Sequence, residues 1–281
     1  MKYNHIMYIF CIIIGVVAIA AQAISHKVEH GLLFAPLKIN DSTADDRLMK
    51  SGLSIVNKKI MTSDAEILDA LFCPNNTSDK LLLFAHGNAG HIYDDLQLIN
   101  NYSKICSMLS FDYRGYGRST GKPSETGMHN DIISAWMFAQ NVLNYKPENI
   151  ILYGRSLGCA NVLWLGQKLV KLNSKLPKGI IIESGFYNLD KIITDKFVPC
   201  LSYLASSKFN NIKYIKKINK TIPLFIIHSK DDELITINHA HQLIKDGGYD
   251  INKDFLMIAG GHNSLILNDK YYQTINTFIY S

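Results

Sequence analysis

At 281 residues and 47% hydrophobic composition, the chain can bury the core of one substantial α/β domain, and its length does not demand a second. A formal net charge of +5, with acids and bases spread along the sequence and no Arg-rich or aromatic-interleaved tract, argues against a nucleic-acid partner. Five cysteines without a CxxC motif or His-paired spacing read as free thiols, so no metal site is expected.

The first element in chain order follows Lys2 as an uncharged, mostly apolar run from Ile6 to Ala23. It is longer than the roughly 7 to 15 residues of a signal-peptide core and slightly shorter than the roughly 20 that span a bilayer. Ala21-Gln22-Ala23 has the small-x-small form that a signal peptidase accepts. Residues 1–25 therefore read as a single-pass membrane anchor with the folded domain on the non-cytoplasmic side. The alternative is a cleaved signal that leaves a secreted or periplasmic product. Residues 26–51 show little periodicity and read as a linker, and residues 52–281 as the folded domain.

From Gly52 onward, short β-type runs alternate with helix-type periodicity, which predicts a mostly parallel sheet. Strands are expected near Leu53–Ile60, Glu66–Phe72, Leu81–Ala85, Ser107–Asp112, Ile150–Tyr153, Gly179–Glu183, Pro223–His228 and Phe255–Ala259. The first two read as an antiparallel edge hairpin joined around Met61 to Glu66. "LLLFA", "GIIIE" and "PLFIIH" lack polar alternation, as central strands covered on both faces do. Helical stripes fall on Ile92, Leu96 and Ile99, on Ile132, Trp136, Ala139 and Leu143, and on Tyr271, Ile275 and Ile279. Between Gly185 and Ile222, where a cap over the site would lie, there is chain for only one or two helices. Within it, "KYIKKINK" gives Lys213, Lys216, Lys217 and Lys220 one solvated helical face.

"GRSLG", Gly154 to Gly158, lies between a strand and a helix. There the glycines permit a sharp turn that pushes Ser156 outward in a strained conformation, the nucleophile-elbow pattern. A serine hydroxyl needs a base, and the base needs an acid to fix its tautomer. On this template both follow the serine in chain order, on loops at later strand ends. Asp232, after the strand ending at His228, is the leading acid, with Glu183 the alternative and Asp231 and Glu233 read as turn residues. His262 is the base, on a loop that Gly260 and Gly261 leave free to swing. His239 and His241 fall in a predicted helix and read as solvated, and His86, His91 and His129 precede the serine. Oxyanion donors are expected from the backbone N–H of Leu157, after the serine, and of Asn88, after Gly87.

"HGNAG" at 86–90, "DYRGYGRSTGKPSE" at 112–125, "YGRSLG" at 153–158, "IIHSKDDELI" at 226–235 and "GGHNS" at 260–264 together resemble the α/β-hydrolase superfamily. More narrowly, "HGNAG", "DYRGYG" and "GKPSE" are similar to the branch holding membrane-anchored bacterial hydrolases and eukaryotic protein depalmitoylases. The resemblance implies an α/β fold with an eight-stranded, mostly parallel sheet, helices on both faces and a small or absent cap. It also implies Ser156 as nucleophile, Asp232 as acid, His262 as base, and Asn88 and Leu157 at the oxyanion hole. Ser229 departs from the glycine common in relatives, and Asp112, Tyr113 and Arg114 are expected to pin loops. The implied function is a serine hydrolase of carboxylic esters or thioesters, whether lipid, small ester or acylated protein, without cofactor or metal. An acyltransferase or serine peptidase on the same residues, and a non-catalytic membrane-tethered binding protein, are the alternatives.

Overall fold

The computed structural model describes residues 33–196 and 209–281. Nine strands among these form one sheet: β1 (Val56–Met61), β2 (Ile67–Cys73), β3 (Leu81–Ala85), β4 (Ser107–Phe111), β5 (Ile150–Arg155), β6 (Gly179–Glu183), β7 (Leu224–Ser229), β8 (Phe255–Gly261) and β9 (Ser264–Ile266). Their order across the sheet is β1-β2-β4-β3-β5-β6-β7-β8-β9. Neighbours from β4 to β8 run parallel. β1 and β2 add an antiparallel hairpin on one edge, and β9 folds back on β8 at the other. All eight expected strands are present, some with shifted ends. The three-residue β9 is the addition, too short to leave an alternation in the sequence.

Burial explains why the central strands carry no polar alternation. Every residue of β3 is buried, with Leu81, Leu83 and Ala85 packed into one core layer and Leu82 and Phe84 into the other. The first layer is closed by α3 (Glu125–Asn141) and α4 (Leu157–Lys171), and the second by α2 (Leu96–Ser103) and α8 (Asp269–Tyr280). The expected stripes supply the contacts: Ile132, Trp136 and Ala139 on one side, and Ile99, Tyr271, Ile275 and Ile279 on the other.

Two expectations are corrected. Part of the segment read as a linker is folded, because α1 (Asp41–Ser51) is capped by the Asn40 side chain, which accepts the Thr43 N–H, and is ended by Gly52 at φ 65°. Just ahead of it, Phe34 is buried in the main core. The membrane placement with an N-terminal single-pass anchor is the second correction, since no helix among the described residues is long and apolar enough to cross a membrane. The apolar run itself, and with it the choice between anchor and signal, lies outside the described residues. Of the cysteines that are described, Cys73, Cys106 and Cys159 are free and buried.

In the region expected to hold a cap, the described helices are α5 (Leu189–Lys196) and α6 (Asn211–Ile218), followed by α7 (Ile237–Gly247) after β7. α6 buries Ile212, Ile215 and Ile218 and exposes Lys213, Lys216 and Lys217. Strand succession reverses direction at β3, with β4 on one side and β5 on the other. In an open parallel sheet, the carboxyl ends of the strands at such a point form a crevice.

Candidate active site

Ser156 follows β5 at that crevice and forms the N-cap of α4 with φ 51° and ψ −115°, a conformation that costs a non-glycine residue about 1–3 kcal/mol. The flanking glycines show why the turn closes. A Cβ on Gly154 would lie 2.5 Å from the Gly158 carbonyl oxygen, and one on Gly158 would lie 1.9 Å from that of Ala85. Helix α4 therefore approaches β3 and β5 more closely than any side chain allows. The Ser156 N–H donates to the Glu183 carbonyl at 2.8 Å, which fixes the strained residue to β6.

The structure brings Ser156, Asp232 and His262 together. The ring Nδ1 of His262 lies 2.8 Å from Asp232 Oδ2, and its Nε2 lies 3.1 Å from Ser156 Oγ. An ionised carboxylate only accepts, so Nδ1 carries the proton and Nε2 is left to accept from the hydroxyl. All three side chains are buried, at 8%, 5% and 4% residue exposure for Ser156, Asp232 and His262. Burial pushes the Asp232 carboxyl up. The hydrogen bonds from His262 and from the Ile235 N–H, with the electrostatic attraction of the His262 and His228 rings, outweigh that and hold it below its usual range.

Neighbouring acids read as turn residues act on the loop that carries His262. Glu233 Oε2 accepts the His262 N–H at 3.0 Å, and Asp231 Oδ2 accepts the Gly260 N–H at 3.3 Å. Arg155, beside the serine, donates from Nη2 to the His262 carbonyl at 3.2 Å. Ser229 donates to the Gly260 carbonyl. The loop is thus held rather than free to swing. Gly260 sits at φ 105°, where a Cβ would meet the Ser264 carbonyl oxygen at 2.3 Å. Below the acid, His228 donates from Nε2 to the Ile235 carbonyl at 2.7 Å and closes that turn.

The competing residues lie elsewhere. Glu183 accepts hydroxyl protons from Tyr153 and Tyr271, and Asp232 rather than Glu183 bonds His262. His239, expected to be solvated, is buried. Its Nδ1 accepts the Tyr187 N–H at 3.0 Å, its Nε2 faces Asp195 at 3.1 Å, and burial lowers its pKa to about 4. His241 is exposed. His129 stacks on Trp164 at 3.8 Å, and His86 packs on Tyr113 at 4.3 Å. Asp112 accepts the Ile92 N–H, and Arg114 pairs with Asp64 and Asp131, so both pin loops.

For the expected oxyanion donors, Leu157 is the first residue of α4, so its N–H has no carbonyl partner within the helix. Gly87 passes beside the serine, close enough that a Cβ there would lie 3.6 Å from Ser156 Cβ, and half-buried Asn88 comes next.

Comparison with known proteins points one way. A family model described as alpha/beta hydrolase fold matches residues 80–199. The chain is 31% identical over 232 residues to Uncharacterized protein R595 of Acanthamoeba polyphaga mimivirus, across 77% of this chain and 78% of that one. It is 32% identical over 217 residues to Alpha/beta hydrolase domain-containing protein 17B of Xenopus laevis, across 74% of this chain and 68% of that one. Among solved structures, a Pyrococcus furiosus esterase aligns at 18% identity with a TM-score of 0.68, covering 88% of this chain and 97% of that one.

Proposed function

Because the chain belongs to the α/β-hydrolase superfamily, we propose that it cleaves carboxylic esters or thioesters through an acyl-enzyme on Ser156. One observation carries this reading: Ser156 Oγ, His262 and Asp232 form a buried relay with spacings of 3.1 and 2.8 Å. The fold likeness to a Pyrococcus furiosus esterase agrees with an ester-type substrate.

In the first half-reaction Ser156 Oγ attacks the acyl carbon while His262 Nε2 takes its proton, and Asp232 steadies the resulting imidazolium. The N–H groups of Leu157 and Asn88 stabilise the oxyanion. As the carbon–oxygen or carbon–sulfur bond breaks, His262 returns the proton to the departing alkoxide or thiolate. In the second half, His262 takes a proton from water as the water oxygen adds to the acyl carbon. Collapse of that intermediate expels Ser156 Oγ, which regains the proton and releases the acid. His262 is the proton acceptor or the proton donor in every step, and the leaving group and water complete the exchange.

A fluorophosphonate probe is expected to label Ser156 in the full-length chain, to lose all labelling in Ser156→Ala and to label His262→Ala far more slowly. Hydrolysis of p-nitrophenyl esters should fall by at least about a thousand-fold in either variant. Wild-type labelling elsewhere than Ser156, or ester turnover that survives Ser156→Ala, would contradict the proposal. A graded series of p-nitrophenyl esters and thioesters then defines the preferred acyl length.

A further inference from the structure

The Asn88 carbonyl, one atom group along from the N–H assigned to the oxyanion hole, is held by two donors at once. The Ala35 N–H reaches it at 2.9 Å and the Tyr116 hydroxyl at 2.8 Å. On the other side of Gly87, the His86 carbonyl accepts the Tyr113 hydroxyl at 2.7 Å. Each peptide group is planar, so fixing the carbonyls of 86 and 88 fixes the two peptide planes that flank the Gly87–Asn88 peptide. That middle peptide carries the Asn88 N–H, and its fixed neighbours hold both of its Cα ends in place, so that rotation about the Cα–Cα axis is the one freedom left to it.

Both phenols are well placed for this work. Tyr113 and Tyr116 are fully buried, pack edge-on against each other at 5.7 Å, and both contact the His86 ring. The Ala35 N–H belongs to a short strap, in which Ala35–Pro36 pairs in parallel with Ala89–Gly90. The strap is fastened on its far side, where the Gly117 N–H donates to the Leu37 carbonyl at 2.8 Å and Lys38 Nζ to the Ser119 carbonyl at 2.7 Å. Its front end is anchored by Phe34, buried in the core and meeting Phe209 edge-on at 6.2 Å. The strap thus lies between the loop after β3 and the turn at 115–119.

We propose that Tyr113, Tyr116 and the strap Phe34–Lys38 are positioning residues that aim the Asn88 N–H at the oxyanion through the carbonyls on either side of it. The inference rests on the hydrolase reading, and specifically on Asn88 as an oxyanion donor. None of these groups contacts substrate, so their effect appears where charge develops, in kcat rather than KM.

Tyr116→Phe removes only the hydroxyl, whereas Ala35→Pro removes the N–H, locks φ at 35 and sets the ring Cδ against the Asn88 carbonyl, so it disturbs that carbonyl more severely. In the full-length chain, kcat on a p-nitrophenyl ester, counted per fluorophosphonate-titrated site, is expected to fall at least about ten-fold in each variant, with KM within about two-fold of wild type. The inhibition constant of a trifluoromethyl ketone, whose adduct with Ser156 carries the oxyanion, should rise in the same proportion as kcat falls. Overturning results are a per-site kcat within about two-fold of wild type in both variants, or a kcat loss with unchanged ketone affinity. A wild-type chain that neither takes the label at Ser156 nor turns over ester overturns the hydrolase reading, and the positioning role with it.

Discussion

Asp232 takes three hydrogen bonds on one carboxylate: Oδ2 from the His262 ring, and Oδ1 from the N–H groups of Leu234 at 3.0 Å and Ile235 at 2.7 Å. Its folded-state pKa therefore lies below the unfolded value of about 3.9. The sign follows from linkage: the ionised carboxylate stabilises the fold fully above the unfolded value, and that contribution is lost as pH falls through the lowered folded one. Thermal melts of wild type and Asp232→Asn should therefore differ most near about pH 6, with the gap narrowing as pH falls below the unfolded value of about 3.9, whereas a gap that widens on acidification would contradict this account. Ser156, Asp232 and His262 were legible in the sequence because each directly follows a strand that its apolar run announces. Glu233 and Arg155 were not, since the backbone they hold is 29 and 107 positions away and a turn acid looks the same whether solvated or bonded. His239 was misread for the same reason: a helical histidine shows its periodicity in sequence, but not the Tyr187 and Asp195 that cover it.

The contact between α4 and the ends of β3 and β5 is what the sharp turn at Ser156 requires of its elements. Gly158 faces backbone rather than a movable side chain, so an added methyl must push helix and strand apart. Gly158→Ala is expected to lower stability by about 1–3 kcal/mol and to abolish labelling of Ser156, read by thermal melts and by the probe. Retained labelling at wild-type rate would show that the close approach is dispensable. Strands β3, β6 and β7 were readable because burial on both faces leaves an unbroken apolar run. Helix α1 was not, because Ala44 is the one residue it buries and no stripe results. Its flanking Asn40 and Gly52 were the available signals, a side-chain cap at one end and a left-handed glycine at the other.

Across the molecule, a buried polar cluster ties the C-terminal helix to the strands that carry the site. Tyr271 on α8 and Tyr153 on β5 both donate to Glu183 on β6, Tyr102 on α2 bonds Tyr271 at 2.8 Å, and Arg155 Nε lies 3.6 Å from the same carboxylate. Removing the Tyr271 hydroxyl leaves Glu183 with Tyr153 and takes the hydrogen-bond partner from the buried Tyr102 hydroxyl. Tyr271→Phe should thus cost about 1–3 kcal/mol of stability in denaturant unfolding, and an unchanged midpoint would show the cluster to be slack. The bond between Ser156 and His262 joins positions 106 apart in sequence and exists only when β5 to β8 are assembled side by side. Contacts of such long range form late along a folding path. On the proposed mechanism, a nascent or half-assembled copy is therefore inert towards the esters around it, and reactive chemistry is switched on only by completion of the tertiary structure.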